Sequence, residues 1–338
     1  MLAHPHPEPR SYPAMLRTWD YAWWKPVVGL LLLFVGGLIV VPMLLMPVLA
    51  VAVALQGGSG AFDDRFVASL TLDSVTPASM LYLNLSLASL TLVSMGIVRY
   101  LHRLRPRWLS SVLPGMRWKY FFACFGLALV ALITSLVFAA LLPRTPQEVG
   151  GEPNELTGRL IATGIVILLT TPLQALGEEY AFRGYFMQAI GSLTHGIASG
   201  LSVSPRTASR IASGFAVVVT SLLFAWAHGV QNFPLFFDRF AFGLMAGLTV
   251  VLVGGLEAGI ALHILNNLLA FGIAIFFGDL QGALTVSEVS WWQLPVTIVQ
   301  NGVYLLLVLL LARAMGLLSK TAPPTRATSA GTAAQAVR

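Results

Sequence analysis

Cysteine is almost missing from this chain. Cys124 is the one thiol in 338 residues, which excludes an intramolecular disulfide framework; it stands in an apolar run and reads as a small buried hydrophobe. Charge is scarce as well. Asp, Glu, Lys and Arg make up 10% of the residues against 57% hydrophobic ones, and the mean hydropathy of +0.79 excludes an ordinary globular enzyme. The composition is that of a polytopic membrane protein, with the lipid bilayer as its first partner. The excess of base, +6 at neutral pH, suggests nucleic acid at first sight. The cations fall in loops between apolar runs, however, where they act as topology signals, and no nucleic-acid partner is expected.

Long apolar runs are what the chain has in abundance. Runs able to cross about 30 Å of hydrocarbon occur near residues 26–55, 78–98, 119–142, 160–188, 209–230, 235–253, 256–277 and 292–315. The expected fold class is therefore all-α, a transmembrane helical bundle of about eight spans. The first run is too long for a signal-peptide core and lacks a small-residue cleavage site, so it is read as a retained span. The loop between spans two and three carries Arg99, Arg103, Arg105, Arg107, Arg117 and Lys119, whereas the flanking loops carry Asp63, Asp64, Asp73, Glu148, Glu152 and Glu155. By the excess of Lys and Arg on the inner side, the basic loop and both termini are expected in the cytoplasm. Arg206 and Arg210, then Arg313, Lys320 and Arg326, agree with this orientation, as do Asp279 and Glu288 in the last outer loop. The chain divides into a cytoplasmic segment, 1–25, a single bundle, 26–318, and a disordered tail, 319–338, rich in Ala, Thr and Pro. Integral, multi-pass placement, in a bacterial plasma membrane, is the expected localisation.

Against this background a few polar side chains stand out. Glu178, Glu179 and Arg183 lie inside the fourth run, and a charge at the bilayer centre costs roughly 2.5–3.5 kcal/mol even on lenient insertion scales. Glu179 and Arg183 are i,i+4 neighbours on a helix and can pair. Glu178, rotated by about 100°, is left free to act on something else. The fifth run closes with Phe224-Ala225-Trp226-Ala227-His228, and the seventh contains His263-Ile264-Leu265-Asn266-Asn267. His263 and Asn267 share a helical face, from which Asn266 is turned away. A carboxylate, two imidazoles and an amide converging in a low-dielectric cavity suit hydrolysis. Burial makes a carboxyl a useful general base near neutral pH. Glu178 could take a proton from a water attacking a peptide carbonyl, His228 could orient that water, and His263 with Asn267 could donate to the developing oxyanion.

The ordered set Glu-Glu-x-x-x-Arg, Phe-x-x-x-His and His-x-x-x-Asn, on successive apolar spans over residues 160–275, resembles the CAAX-protease and bacteriocin-processing (CPBP, or Abi) family of intramembrane proteases. The resemblance implies an eight-helix endopeptidase related to the enzyme that trims prenylated Cys-aliphatic-aliphatic-X tails, with a membrane-associated or lipid-anchored peptide as substrate. By similarity Glu178 is the catalytic base, His228 its partner at the water or metal, His263 and Asn267 the oxyanion site, and Glu179 and Arg183 supporting residues. Phe224 would pack or line the substrate groove. Both metal-dependent and metal-free mechanisms are argued for the family. If Zn2+ is used, Glu178, His228 and His263 are its expected ligands, drawn from three helices because no His-Glu-x-x-His occurs.

Two readings compete with this one. A transporter or ion-coupled carrier would also bury acids and histidines, but would predict an internal repeat that the spacing lacks. An inactive scaffold of the same fold would show an eroded motif, and all three are intact. A rhomboid-like serine, paired membrane aspartates and a site-two zinc motif are each missing. His4 and His6 are expected in a mobile tail, and His102 and His195 in loops without chemistry. One mismatch remains at this level: straight spans would place His228 late in an outward helix, away from Glu178, unless the fourth helix is tilted or broken, with Pro172 and Gly177 as its weak points, or the fifth is offset.

Overall fold

The structure is a computed structural model that describes residues 5–143 and 153–323. His4, Glu148, Glu152, Arg326 and tail residues 324–338 lie outside the described residues. Eight helices are long and apolar enough to cross a membrane: α1 (Trp24–Gln56), α2 (Pro77–Tyr100), α3 (Trp118–Ala140), α4 (Gly158–Ser199), α5 (Pro205–Trp226), α6 (Phe233–Val253), α7 (Glu257–Phe277) and α8 (Gln293–Ala314). No strand is present among the described residues beyond two isolated bridges. The protein is an all-helical, multi-pass membrane protein.

Helix starts follow from local chemistry. Thr76 accepts from the Ser79 amide while the Ser79 hydroxyl accepts from the Thr76 amide, a reciprocal cap, with Pro77 at the first helical position. Thr157, Ser204 and Asn232 accept likewise from the amides three residues on, at the starts of α4, α5 and α6. Gly254 closes α6 in the left-handed region, φ 77°, where glycine carries no Cβ penalty.

Packing between spans uses close backbone approach and polar contacts, since lipid offers no hydrophobic drive for helix association. A Cβ on Gly177 would stand 2.1 Å from the Leu87 carbonyl oxygen, so glycine is what lets α4 lie against α2. The Asn84 amide donates to Thr170 and Thr171 across the same interface, at 2.7 and 3.2 Å. Tyr304 of α8 donates to the Ala258 carbonyl of α7 at 2.7 Å. At the mouth of α7, Arg117 holds Glu257 through both carboxylate oxygens, at 2.8 and 2.6 Å. Arg117, expected only to mark topology, thus also ties the basic loop to the bundle.

Two expectations change at the ends. Residues 5–23 are packed in part: Tyr12, Met15 and Leu16 are buried, His6 is buried with its Nε2 at 2.8 Å from the Met15 carbonyl and its ring edge-on to Trp108, and the Tyr12 hydroxyl donates to the Leu109 carbonyl. Gly191 makes room for Pro13, whose carbonyl oxygen lies 2.5 Å from where a Cβ would stand. Residues 319–323, expected to be disordered, are also ordered in part: Thr321 is buried and exchanges hydrogen bonds with Arg10, and Lys320 bridges to Ser11. Both segments lie at the bundle end that carries the basic loop.

The depth mismatch is resolved by the length of α4. At 42 residues it spans about 63 Å at 1.5 Å per residue, roughly twice the hydrocarbon thickness. It runs straight past residue 188, where the apolar run was expected to end. Pro172 and Gly177 do not break it; residues Tyr180–Phe186 instead form a π-helical stretch, a distortion found mostly at functional sites. α5 turns back antiparallel along this overshoot. Glu178 precedes Ser199 by 21 residues and His228 follows Pro205 by 23, so the hairpin returns His228 to the level of the glutamates.

Candidate active site

Where α4 enters its π-helical stretch, two successive carboxylates take different partners. Glu179 is fully buried, and its Oε1 accepts from Arg183 Nη1 at 2.9 Å and from His263 Nδ1 at 2.9 Å. Arg183 is also fully buried, with its guanidinium 4.0 Å from the Phe224 ring centroid and 5.3 Å from that of Phe242. The i,i+4 pairing expected from the sequence is therefore present, and the ion pair is desolvated, which makes loss of either partner far more damaging than loss of both. Glu178 points elsewhere. Its Oε1 accepts from the Gln174 amide at 2.6 Å, and its Oε2 lies 3.5 Å from His263 Nε2.

These contacts set the histidine tautomers. A carboxylate beside an arginine is an acceptor, so His263 Nδ1 is the donor to Glu179, and in the neutral form of the ring the Nε2 lone pair faces Glu178. His228 behaves similarly: its Nδ1 donates to the Phe224 carbonyl at 2.7 Å, leaving Nε2 free at the end of α5. It lies within electrostatic reach of both Glu178 and His263. Asn267 donates to Gln174 Oε1 at 3.1 Å. Gln174 is thus a bridge whose amide nitrogen serves the expected base and whose oxygen orients the expected oxyanion amide. Asn266 faces the other way, accepting from Gln300 at 3.2 Å.

Glu178, Glu179, Arg183, His263 and Asn267 are brought together directly or through Gln174, and His228 borders them. Phe224 is buried amid Arg183, His228 at 4.7 Å and His263 at 5.8 Å between ring centroids, a placement that makes it a wall behind the histidines. Gln174 was missed in the sequence although its signal was there, a polar residue four positions before Glu178 in an apolar run. Arg239, which donates to the His228 carbonyl at 3.4 Å, was also missed. Among the described residues, no group of three His, Cys, Asp or Glu side chains is placed to hold a metal ion. Glu178, His228 and His263, the expected zinc ligands, are therefore not gathered into such a group.

A family model matches the same segment. Residues 160–269 match the Rce1-like family, the type II CAAX prenyl endopeptidases. The match covers 110 of 338 residues, from the start of α4 to the middle of α7, and so contains every residue of the Glu-Glu-x-x-x-Arg, Phe-x-x-x-His and His-x-x-x-Asn elements. It agrees with the resemblance drawn from those elements. No curated protein and no solved structure matches the chain. The Rce1-like segment supports a CAAX-protease-like membrane enzyme, with α1–α3 and α8 packed around it.

Proposed function

We propose that this protein is an intramembrane endopeptidase that hydrolyses a peptide bond with a water activated by Glu178. The observation that carries the reading is the division of labour between adjacent carboxylates: Glu179 is committed to Arg183 and His263, while Glu178 Oε2 faces the lone-pair side of His263 at 3.5 Å. Two acceptors so placed suit a water's O–H groups, one oriented by His263 Nε2 and one presented to Glu178. The water oxygen attacks the carbonyl carbon as its proton passes to Glu178 Oε2. The oxyanion is received by the second N–H of Asn267, the first being held by Gln174. When the tetrahedral species collapses, the C–N bond breaks and Glu178 returns the proton to the leaving amine nitrogen. His263 contributes as an orienting acceptor in this scheme, rather than as the oxyanion donor expected from the sequence, because Glu179 fixes its N–H on the other side. His228, exposed beside Glu178, is the group positioned to exchange protons with the solvent side.

The substrate proposed is a membrane-associated or lipid-anchored peptide. The test uses purified protein in lipid nanodiscs with a farnesylated peptide and a set of transmembrane peptides. Glu178→Gln is expected to lower kcat by about 10²–10⁴-fold, the span typical of a lost general base, with folding preserved. Cleavage by this variant at the parent rate would remove Glu178 from the role. Loss of activity in chelator, restored by zinc, would replace the metal-free route.

A further inference from the structure

A concavity lies far along α5 from the glutamates. It has a volume of about 590 Å³ and opens between α5 and α6 at the bundle end that carries the basic loop. Its lining is divided by chemistry. The rim holds three exposed cations, Arg206, Arg210 and Lys320, and the walls are Val217, Leu244 and Leu248. No Asp or Glu lines it, and none of the three cations is in a salt bridge among the described residues. Three like charges held at one rim without a counter-charge repel one another, so an anion is the complementary occupant. Arg206 and Arg210 sit in the first two turns of α5, a helix apolar enough to cross a membrane. Beside the groove the outward face of α5 exposes Ile211, Phe215, Val218 and Leu222, an apolar i, i+4, i+7, i+11 stripe. Residues 324–338 contain Arg326 and Arg338 and no acid, so the segment following Lys320 has the wrong charge to fill the site.

We infer that this groove is a binding site for an anionic phospholipid, its phosphate held by Arg206, Arg210 and Lys320 and one acyl chain laid along Val217, Leu244 and Leu248. Basic pockets between helices on the inner side of a membrane have the chemistry for such headgroups. Gly214 supplies the width: nothing lies within 4 Å of where its Cβ would stand. The site stands apart from the peptidase reading, since none of its residues touches Glu178, His228, His263 or Asn267.

The test reconstitutes the full chain in phosphatidylcholine vesicles with and without phosphatidylglycerol, extracts it in mild detergent and counts retained lipids by native mass spectrometry. Phosphatidylglycerol is expected to be retained selectively, about fivefold less for each cation replaced in Arg206→Ser and Arg210→Ser, the factor that corresponds to ~1 kcal/mol. Gly214→Trp keeps every charge, meets open space and blocks the groove, and should abolish the selective retention while thermal stability holds. Equal retention of both lipids by the parent, or selective retention that survives both Gly214→Trp and the Arg206→Ser/Arg210→Ser pair, would overturn the assignment. Peptidase activity is not the readout, so failure here and failure of the peptidase reading are separable.

Discussion

Replacing Gln174 with leucine keeps the volume of the side chain and removes both of its polar partners. The bond it gives Glu178 is short, 2.6 Å, and the one it accepts from Asn267 is 3.1 Å. Hydrogen bonds to a charged group contribute about 1.5–3 kcal/mol. If Gln174 holds Glu178 and Asn267 in reacting geometry, that energy appears in the transition state, and kcat should fall about 10- to 150-fold at 1.4 kcal/mol per decade. KM should stay near its parent value, because the residue sits behind the base and meets no substrate atom in the proposed scheme. The assay is initial-rate cleavage of the best peptide in nanodiscs, with thermal unfolding measured in parallel. A double-mutant cycle with Asn267→Ala should return a coupling of about 0.5–3 kcal/mol, the range for residues sharing one network. A kcat within about twofold of the parent, or strictly additive effects in the cycle, would refute the bridge.

Arg183→Met should prevent recovery of folded protein: it leaves Glu179 buried without its arginine counter-charge, at a cost of about 3–5 kcal/mol, and detergent thermal unfolding checks it against a folded but inactive Glu178→Gln. Gly177→Ala places a methyl 2.1 Å from the Leu87 carbonyl oxygen and should destabilise by about 1–3 kcal/mol through a forced shift of α2 from α4, whereas Gly126→Ala, with nothing within 4 Å, should not. His102 lies beyond the end of α2, buried against the Tyr185 hydroxyl at 2.8 Å, and burial pushes it down to about 4. Its folded value lies below its unfolded one, so the unfolded chain binds more protons between pH ~4 and ~6.5. Stability is full above that window and falls as pH drops through it, and His102→Gln should flatten this part of the thermal-stability profile.

The spans were legible in the sequence because hydrocarbon selects on length and apolarity alone. The first was expected at 26–55 and runs Trp24–Gln56, and the last at 292–315 and runs Gln293–Ala314. The Glu-Glu-x-x-x-Arg cluster was legible for the converse reason, that ionised groups in such runs are costly, and the 100° offset separating Glu178 from the Arg183 pair survives into the fold. What escaped notice was neutral, paired or dependent on tertiary register. Gln174 carries no charge to flag it, and Glu257 is masked by a partner 140 residues away. The overshoot of α4 that restores His228 to the site depends on the packing of residues 187–199 against α5, which hydropathy does not encode. His6 looked like a mobile-tail residue and His102 like a loop one, because nothing in their neighbourhood announces the pocket built around each.

The antiparallel contact of Ser11 with Lys320, reinforced by Arg10 and Thr321, joins stretches separated by all eight spans. During synthesis the earlier stretch must therefore wait, without its mate, until every membrane crossing has been threaded. The seam closes last, and its formation would report a fully assembled molecule.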